Sequence, residues 1–188
     1  MIALTSTISS MSGMEKVDHY ISDIARDGGH AALEKLYLCT KDAVYGYALS
    51  ILKNTHDAED VLHDCFINIY HAAPNYKSSG KPMAWILTIT KNLCMNVLSN
   101  RNRISDIGDG ETDHLFSGFC SVSPEDKFII HACIDKLSPT ERKILVLHAV
   151  AGFKHREIAS FLDLPLSTVL SKYSRAVKKV QNILESEE

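Results

Sequence analysis

Apolar residues recur at helical spacing along most of this 188-residue chain, and no stretch alternates in the two-residue period of a strand. That pattern confines the fold to helices packed on helices. Residues 30–53 carry Leu33, Leu36, Tyr37, Val44, Ala48, Ile51 and Leu52 along one stripe. Asn54 and Thr55 interrupt it, and a second helix is expected from near Asp57. "AAPNYKSSGKP" (72–82) reads as a loop by its Pro, Gly and Ser content. Pro82 suits the first turn of a third helix, where its missing N–H would be unpaired in any case. That helix is expected to reach about Asn100 on Trp85, Ile86, Ile89, Leu93 and Val97, with Trp85 in the core.

Residues 104–123 hold three glycines, several acids and little periodicity, the marks of a linker. After it, "SPED" (123–126) and "SPTE" (138–141) each place Ser at a cap, Pro at the first helical position and an acid three residues after the Ser. The expected organisation is a Ser/Thr-rich leader (1–14), a helical domain (15–103), a flexible linker (104–123) and a second helical domain (124–188).

An apolar content of 45% is ordinary for a globular chain. The longest apolar run, "ILVLHAVAGF", is about half the roughly 20 residues a spanning helix needs, so no membrane insertion is expected. The N-terminus has neither a basic region nor a sustained apolar one, which argues against a signal peptide. Five cysteines at 39, 65, 94, 120 and 133 are odd in number and never arranged as CxxC, so they read as reduced thiols in a cytoplasmic protein.

The net charge of −3 hides a segregation. Between His56 and Asp64, nine positions hold four carboxylates and two histidines. From Cys65 through Ser105 there is no Asp or Glu, while Lys77, Lys81, Lys91, Arg101 and Arg103 are cationic. On a helical wheel, Val61, Leu62, Cys65, Phe66 and Ile69 form a core-facing arc. Asp57, Asp60 and Asp64 gather opposite, with Glu59 and His63 near the border. The basic segment also carries Asn75, Tyr76, Asn92 and Asn96. Its cations suit phosphates, and its amides and aromatics suit unpaired bases.

In "HREIASFLDLPLSTVLSKYSRAVKKV" (155–180), Ile158, Ala159 and Leu162 form one face of a short helix, and Asp163-Leu164-Pro165 forces a turn. Ser167 is the expected cap of a second helix reaching about Leu184. Small Ala159 and apolar Val169 fit a close crossing, the helix-turn-helix arrangement whose second helix enters the major groove. Lys154, His155 and Arg156 on one helix, with Ser171, Lys172, Arg175, Lys178 and Lys179 on the other, supply phosphate and base-edge donors.

In this order the pieces resemble the extracytoplasmic-function sigma factors of bacterial RNA polymerase. "HDAEDVLHDCFINIY" is similar to the region 2 helix that docks on the polymerase clamp. "MAWILTITKNLCMNVLSNRNR" is similar to the helix that melts and reads the −10 element. "LSPTERKILVLHAVAGFKHREIASFLDLPLSTVLSKYSRAV" is similar to region 4, which reads the −35 element. The resemblance implies an all-α chain of two small helical domains joined by a flexible linker, the second containing the helix-turn-helix. It implies a surface for the clamp helices of the polymerase β′ subunit at Asp57, Glu59, Asp60, His63 and Asp64. It implies −10 contacts from Asn75, Tyr76, Lys77, Ser78, Ser79, Lys81, Lys91, Asn92, Asn96, Arg101 and Arg103, the 75–81 loop capturing a flipped base. It implies −35 contacts from Lys154, His155, Arg156, Ser167, Thr168, Ser171, Lys172, Arg175 and Lys179. Core polymerase, promoter DNA and an anti-sigma factor are the implied partners, with no catalytic group, metal or cofactor. Asp163 and Ser167 depart from the pattern, since Gly often holds both positions.

Two rivals explain parts of the chain. The His56-Asp57 and His63-Asp64 pairs resemble those of metal phosphohydrolases, which need further ligands converging from other helices and an open metal position. A stand-alone helix-turn-helix regulator accounts for 139–183 and leaves the acidic stripe and the basic segment unexplained.

Overall fold

Two residues of opposite character divide the first expected helices. Lys53 turns left-handed at φ 56° and closes α2 (His30–Leu52) by donating its N–H to Leu49 O. Asn54 is extended, and its side chain accepts the Asp57 N–H at 3.0 Å, which starts α3 (Thr55–Ala72) two residues before Asp57. A 3-10 turn (Ala73–Asn75) follows α3. The computed structural model describes residues 13–27, 29–105 and 136–185. The expected leader up to residue 12, the linker beyond residue 105 and the Ser123-Pro124 helix start lie outside them.

Both ends of the first unit also move from where the sequence pattern put them. A helix not anticipated, α1 (Gly13–Asp27), begins inside the expected leader. Val17, Ile21 and Ile24, at i, i+4 and i+7, are buried, so this helix has an apolar face to cover. The helix after the loop, α4 (Pro82–Ser105), runs past Asn100 and into the first positions of the expected linker. Adding residues to a formed helix is cheap, and Arg101 is tied to Asp57 of α3 by an ion pair that holds this end down.

In the second unit Ser138 starts α5 (Pro139–Ala149) as the Ser-Pro-Thr-Glu spacing predicts. Its N–H donates to Glu141 Oε2 at 2.9 Å, and its hydroxyl accepts the Glu141 N–H at 3.4 Å. Then α6 (His155–Leu162) ends at Asp163, left-handed at φ 53°, a conformation that Asp tolerates better than most residues. Next, α7 (Leu166–Glu185) begins one residue before Ser167. Ser167 therefore lies in the first turn and is not the cap: the Pro165 carbonyl already accepts the Val169 N–H at 3.1 Å.

Among the described residues every regular element is helical. The centre is α2, which packs against α1, α3 and α4 and, on a further side, against α5 of the second unit. Leu36, Leu62, Ile69, Ile86 and Leu87 are fully buried, each such side chain contributing about 1.5–3 kcal/mol. The core continues without a break into Ile144, Leu147, Phe153, Ile158 and Val169. At the seam Tyr47 meets Phe161 edge-on with centroids 5.9 Å apart. Gly46 lies so close to Val146 that a Cβ there would sit 3.3 Å from its Cγ1. Cys65 and Cys94 belong to this interior: burial pushes their thiols up to about 11 and about 12, so both are protonated fillers of the core. Among the described residues no helix is long and apolar enough to cross a membrane.

Candidate functional site

The back of α3 is wholly committed to packing: Ala58, Val61, Leu62, Cys65, Phe66 and Ile69 are buried. The front therefore has a fixed orientation. Asp60, His63 and Asp64 are exposed together on it, and Glu59 is half-buried at its edge. Asp57 leaves the group, because its carboxylate pairs with Arg101. His56 stands 3.3 Å from Asp60. Its own backbone first, and then Asp60, raise its pKa above the ordinary imidazole value. Beside the acidic face an apolar groove of about 590 Å3 is lined by Leu33, Tyr37, Phe66, Ile67 and Tyr70. Ile67 is 56% exposed. The sequence reading passed over Ile67, although an isoleucine on the polar side of the wheel was itself a signal. Among the described residues no three His, Cys, Asp or Glu side chains converge on a metal position.

The basic segment forms a second surface. Asn75, Lys77, Ser79 and Lys81 are exposed on the loop before α4. Tyr76 and Ser78 instead turn toward α1, where Asp18 accepts both hydroxyls at 2.6 and 2.7 Å. Tyr76 also lies against Trp85, centroids 4.7 Å apart, and Trp85 is half-buried, at the edge of the core. On α4, Lys91, Asn92 and Asn96 are exposed. Asn92 and Asn96 share a groove of about 430 Å3 with Asn68 and His71 of α3, above Ile89 and Leu93. The sequence reading did not single out Asn68 or His71, because only the crossing of α3 and α4 brings them there. Arg101 faces Asp57, and the side chain of Arg103 lies outside the described residues. Burial first, then nearby Lys91 and Arg142, hold Lys143 of α5 below its ordinary pKa, so the second unit lies close to this surface.

The third surface is the turn between α6 and α7. Lys154, Arg156, Ser167, Ser171 and Arg175 are exposed, and Thr168 and Lys172 are half-buried. The Glu157 carboxylate accepts the Lys154 N–H at 2.8 Å and fixes the start of α6. Two of the expected donors have work inside the fold. Lys179 Nζ donates to Glu141 Oε2 at 2.8 Å. His155 stacks on His148 at 4.3 Å and meets the edge of Tyr173 at 4.8 Å. Burial first, and then His148, hold its pKa below the ordinary imidazole value.

Comparison with known proteins assigns the frame. Residues 36–104 match the family model "Sigma-70 region 2", and residues 127–180 match "Sigma-70, region 4". The ECF RNA polymerase sigma factor SigE of Mycolicibacterium smegmatis is 30% identical over 155 residues, which are 76% of this chain and 58% of that protein. The chain belongs to the sigma-70 family, in its extracytoplasmic-function branch. The RNA polymerase sigma-H factor of Pseudomonas aeruginosa is 24% identical, with 91% of this chain and 95% of that one aligned. The solved sigma factor RpoE of Bartonella quintana, in complex with the anti-sigma factor NepR, shares the fold at a TM-score of 0.67 and 20% identity. That match covers 82% of this chain and 98% of the other. CnrH, solved with the cytosolic domain of CnrY, shares it at 0.58 and 20% identity over 92% of this chain and 99% of that one. In this sigma factor the acidic helix and the loop before α4 fall in the region 2 match, and the helix-turn-helix falls in the region 4 match.

Proposed function

We propose that this sigma factor binds core RNA polymerase through the exposed front of α3, with Asp60, His63 and Asp64 at its centre and Glu59 at its edge. The clamp helices of the β′ subunit are the proposed partner. Ile67 and the groove beside it extend that surface with apolar area. Asp57 contributes from behind, by anchoring Arg101 and the end of α4. The observation that carries the reading is a stripe of exposed carboxylates held rigid by a fully packed reverse side. A flexible acidic tail would give charge without a shape to recognise.

In the same reading the 75–81 loop with Lys77, Ser79 and Lys81, and α4 with Lys91, Asn92 and Asn96, hold the −10 strand in single-stranded form. Cations take the phosphates while amides meet base edges. Unstacking a base costs a few kcal/mol, which a pocket for the flipped base offsets. The −35 duplex is taken by Lys154, Arg156, Ser167, Thr168, Ser171, Lys172 and Arg175. Lys179 and His155 serve the fold of that unit first. An anti-sigma partner and a cytoplasmic place of work complete the proposal; CnrH was solved with the cytosolic domain of CnrY, and the Bartonella quintana RpoE with the anti-sigma factor NepR.

Co-elution with bacterial core polymerase tests the docking surface. The wild-type chain is expected to co-elute, and Asp60→Arg/Asp64→Arg to remain folded and elute alone. Normal binding by the folded variant would move the polymerase surface elsewhere. Duplex binding undiminished without polymerase would instead favour a stand-alone regulator.

A further inference from the structure

Asp18 lies on α1, outside both the region 2 and the region 4 matches. Its carboxylate is nonetheless the polar centre of the loop before α4. Oδ1 accepts the Tyr76 hydroxyl at 2.6 Å, and Oδ2 accepts the Ser78 hydroxyl at 2.7 Å. These bonds span 58 and 60 residues of chain, so they are tertiary ties and not local turn chemistry. Hydrogen bonds to an ionised acceptor are about twice as strong as neutral ones. Both oxygens of one rigid group are engaged, which fixes the two hydroxyls relative to each other.

The setting turns these bonds into a clamp. Below Asp18, Val17 and Ile21 are buried, so α1 cannot slide along the domain. The far side of the Tyr76 ring rests on Trp85 of α4. Burial first, and then the Asp18 bond, push the Tyr76 phenol far above its ordinary pKa, so it remains a donor. Two residues beyond Ser78 the backbone turns left-handed at Gly80, φ 71°, which only glycine adopts without cost. Between these fixed points Lys77 and Ser79 stay exposed, aimed by a loop that the carboxylate ties at both alternate residues.

We infer that Asp18 is a positioning residue for −10 recognition: by gripping Tyr76 and Ser78 it holds the 75–81 loop in the shape that receives an unpaired promoter base. The inference rests on the proposed −10 reading. It places two loop hydroxyls in the service of the fold, and leaves base contact to Lys77, Ser79 and the α4 amides.

The test uses the full-length chain in holoenzyme, a promoter selected by the wild-type protein, and single-base variants of its −10 non-template strand. Two quantities are read: open-complex formation on the selected promoter, and the preference for the selected base over the other three. Asp18→Ala is expected to co-elute with core polymerase as wild type does, and to lose at least tenfold in that preference. Asp18→Asn, which can still accept through one oxygen, is expected between the two. Tyr76→Phe/Ser78→Ala removes the donors and leaves the carboxylate. If Asp18 acts only through them, combining this pair with Asp18→Ala adds no further loss. Full additivity would overturn the inference, and so would undiminished preference in Asp18→Ala. A wild-type holoenzyme with no base preference would instead sink the underlying −10 reading, which separates the two failures.

Discussion

The helix proposed to dock on polymerase and the helix proposed to enter the −35 duplex are built on opposite plans. The first, α3, buries a broad arc from Thr55 to Ile69 against α2 and α4. The second, α7, is longer, yet its fully buried described side chains are Val169, Ala176 and Ile183, one for every two turns. One is a wall of the domain and the other is a rail attached along a single line. A protein-docking face needs a fixed outline, which demands a packed back. A helix that enters a groove must present most of its circumference, and can spare only a thin seam for attachment.

Matched truncations would sharpen or break that contrast. Leu62→Ala, in the fully buried face of α3, is expected to cost about 3–5 kcal/mol by chemical denaturation. Ile183→Ala, near the end of the α7 seam, is expected at the low end of the usual range, about 2 kcal/mol. Equal costs would mean that the rail is packed as heavily as the wall.

The attachment of α7 is reinforced by one buried charge. Burial alone would raise the Glu141 carboxyl, but the Lys179 ammonium and the Ser138 cap outweigh it and hold it at about 2. A carboxyl depressed in the folded state adds stability above its unfolded value, and loses it as pH falls from about 4.5 toward about 2. Glu141→Gln is expected to destabilise the second unit by about 1–3 kcal/mol at neutral pH and to flatten the acid limb of its stability curve. An unchanged acid limb would remove Glu141 from the account.

His155 works in the other direction. A histidine held below its ordinary value in the fold resists protonation, so stability present at neutral pH is lost as pH falls through its unfolded value near 6.5. A smaller loss of thermal stability is expected between pH 7.5 and 5.5, and His155→Phe should reduce it. The smallest effect is expected at Asp163, where glycine would relieve the left-handed backbone while loosening the unfolded chain. The two nearly cancel, and Asp163→Gly is expected within about 1 kcal/mol of wild type.

Features set by short-range chemistry were readable from the chain. The buried arc of α3, the Ser138 capping box and the turn at Asp163-Leu164-Pro165 each depend on residues within a turn or two of each other. The Ser167 cap was misplaced by two residues, because the helix starts directly after Pro165, whose carbonyl accepts the first intrahelical N–H, that of Val169. Most of the missed features were tertiary. Nothing near Asp18 announces Tyr76, 58 residues away. Nor does Lys179 announce Glu141, 38 residues away. Formal charge made Lys179 and Arg101 candidates for phosphate, and only the folded chain shows the carboxylates they already serve. The α1 helix was legible in the i, i+4, i+7 spacing of Val17, Ile21 and Ile24, but the Ser and Thr residues just upstream are weak helix formers and masked its start.

The thin seam of α7 has a meaning for how such a protein can change over generations. Exposed positions between Val169, Ala176 and Ile183, such as Ser171 and Arg175, carry little packing duty, so on the proposed reading replacing one alters what the helix presents to DNA while leaving folding nearly untouched. On that proposed reading, a lineage can revise its promoter vocabulary one residue at a time. The wall of α3 offers no such freedom: a change in its buried arc is felt by the whole molecule, and its exposed face is the surface proposed to dock on polymerase.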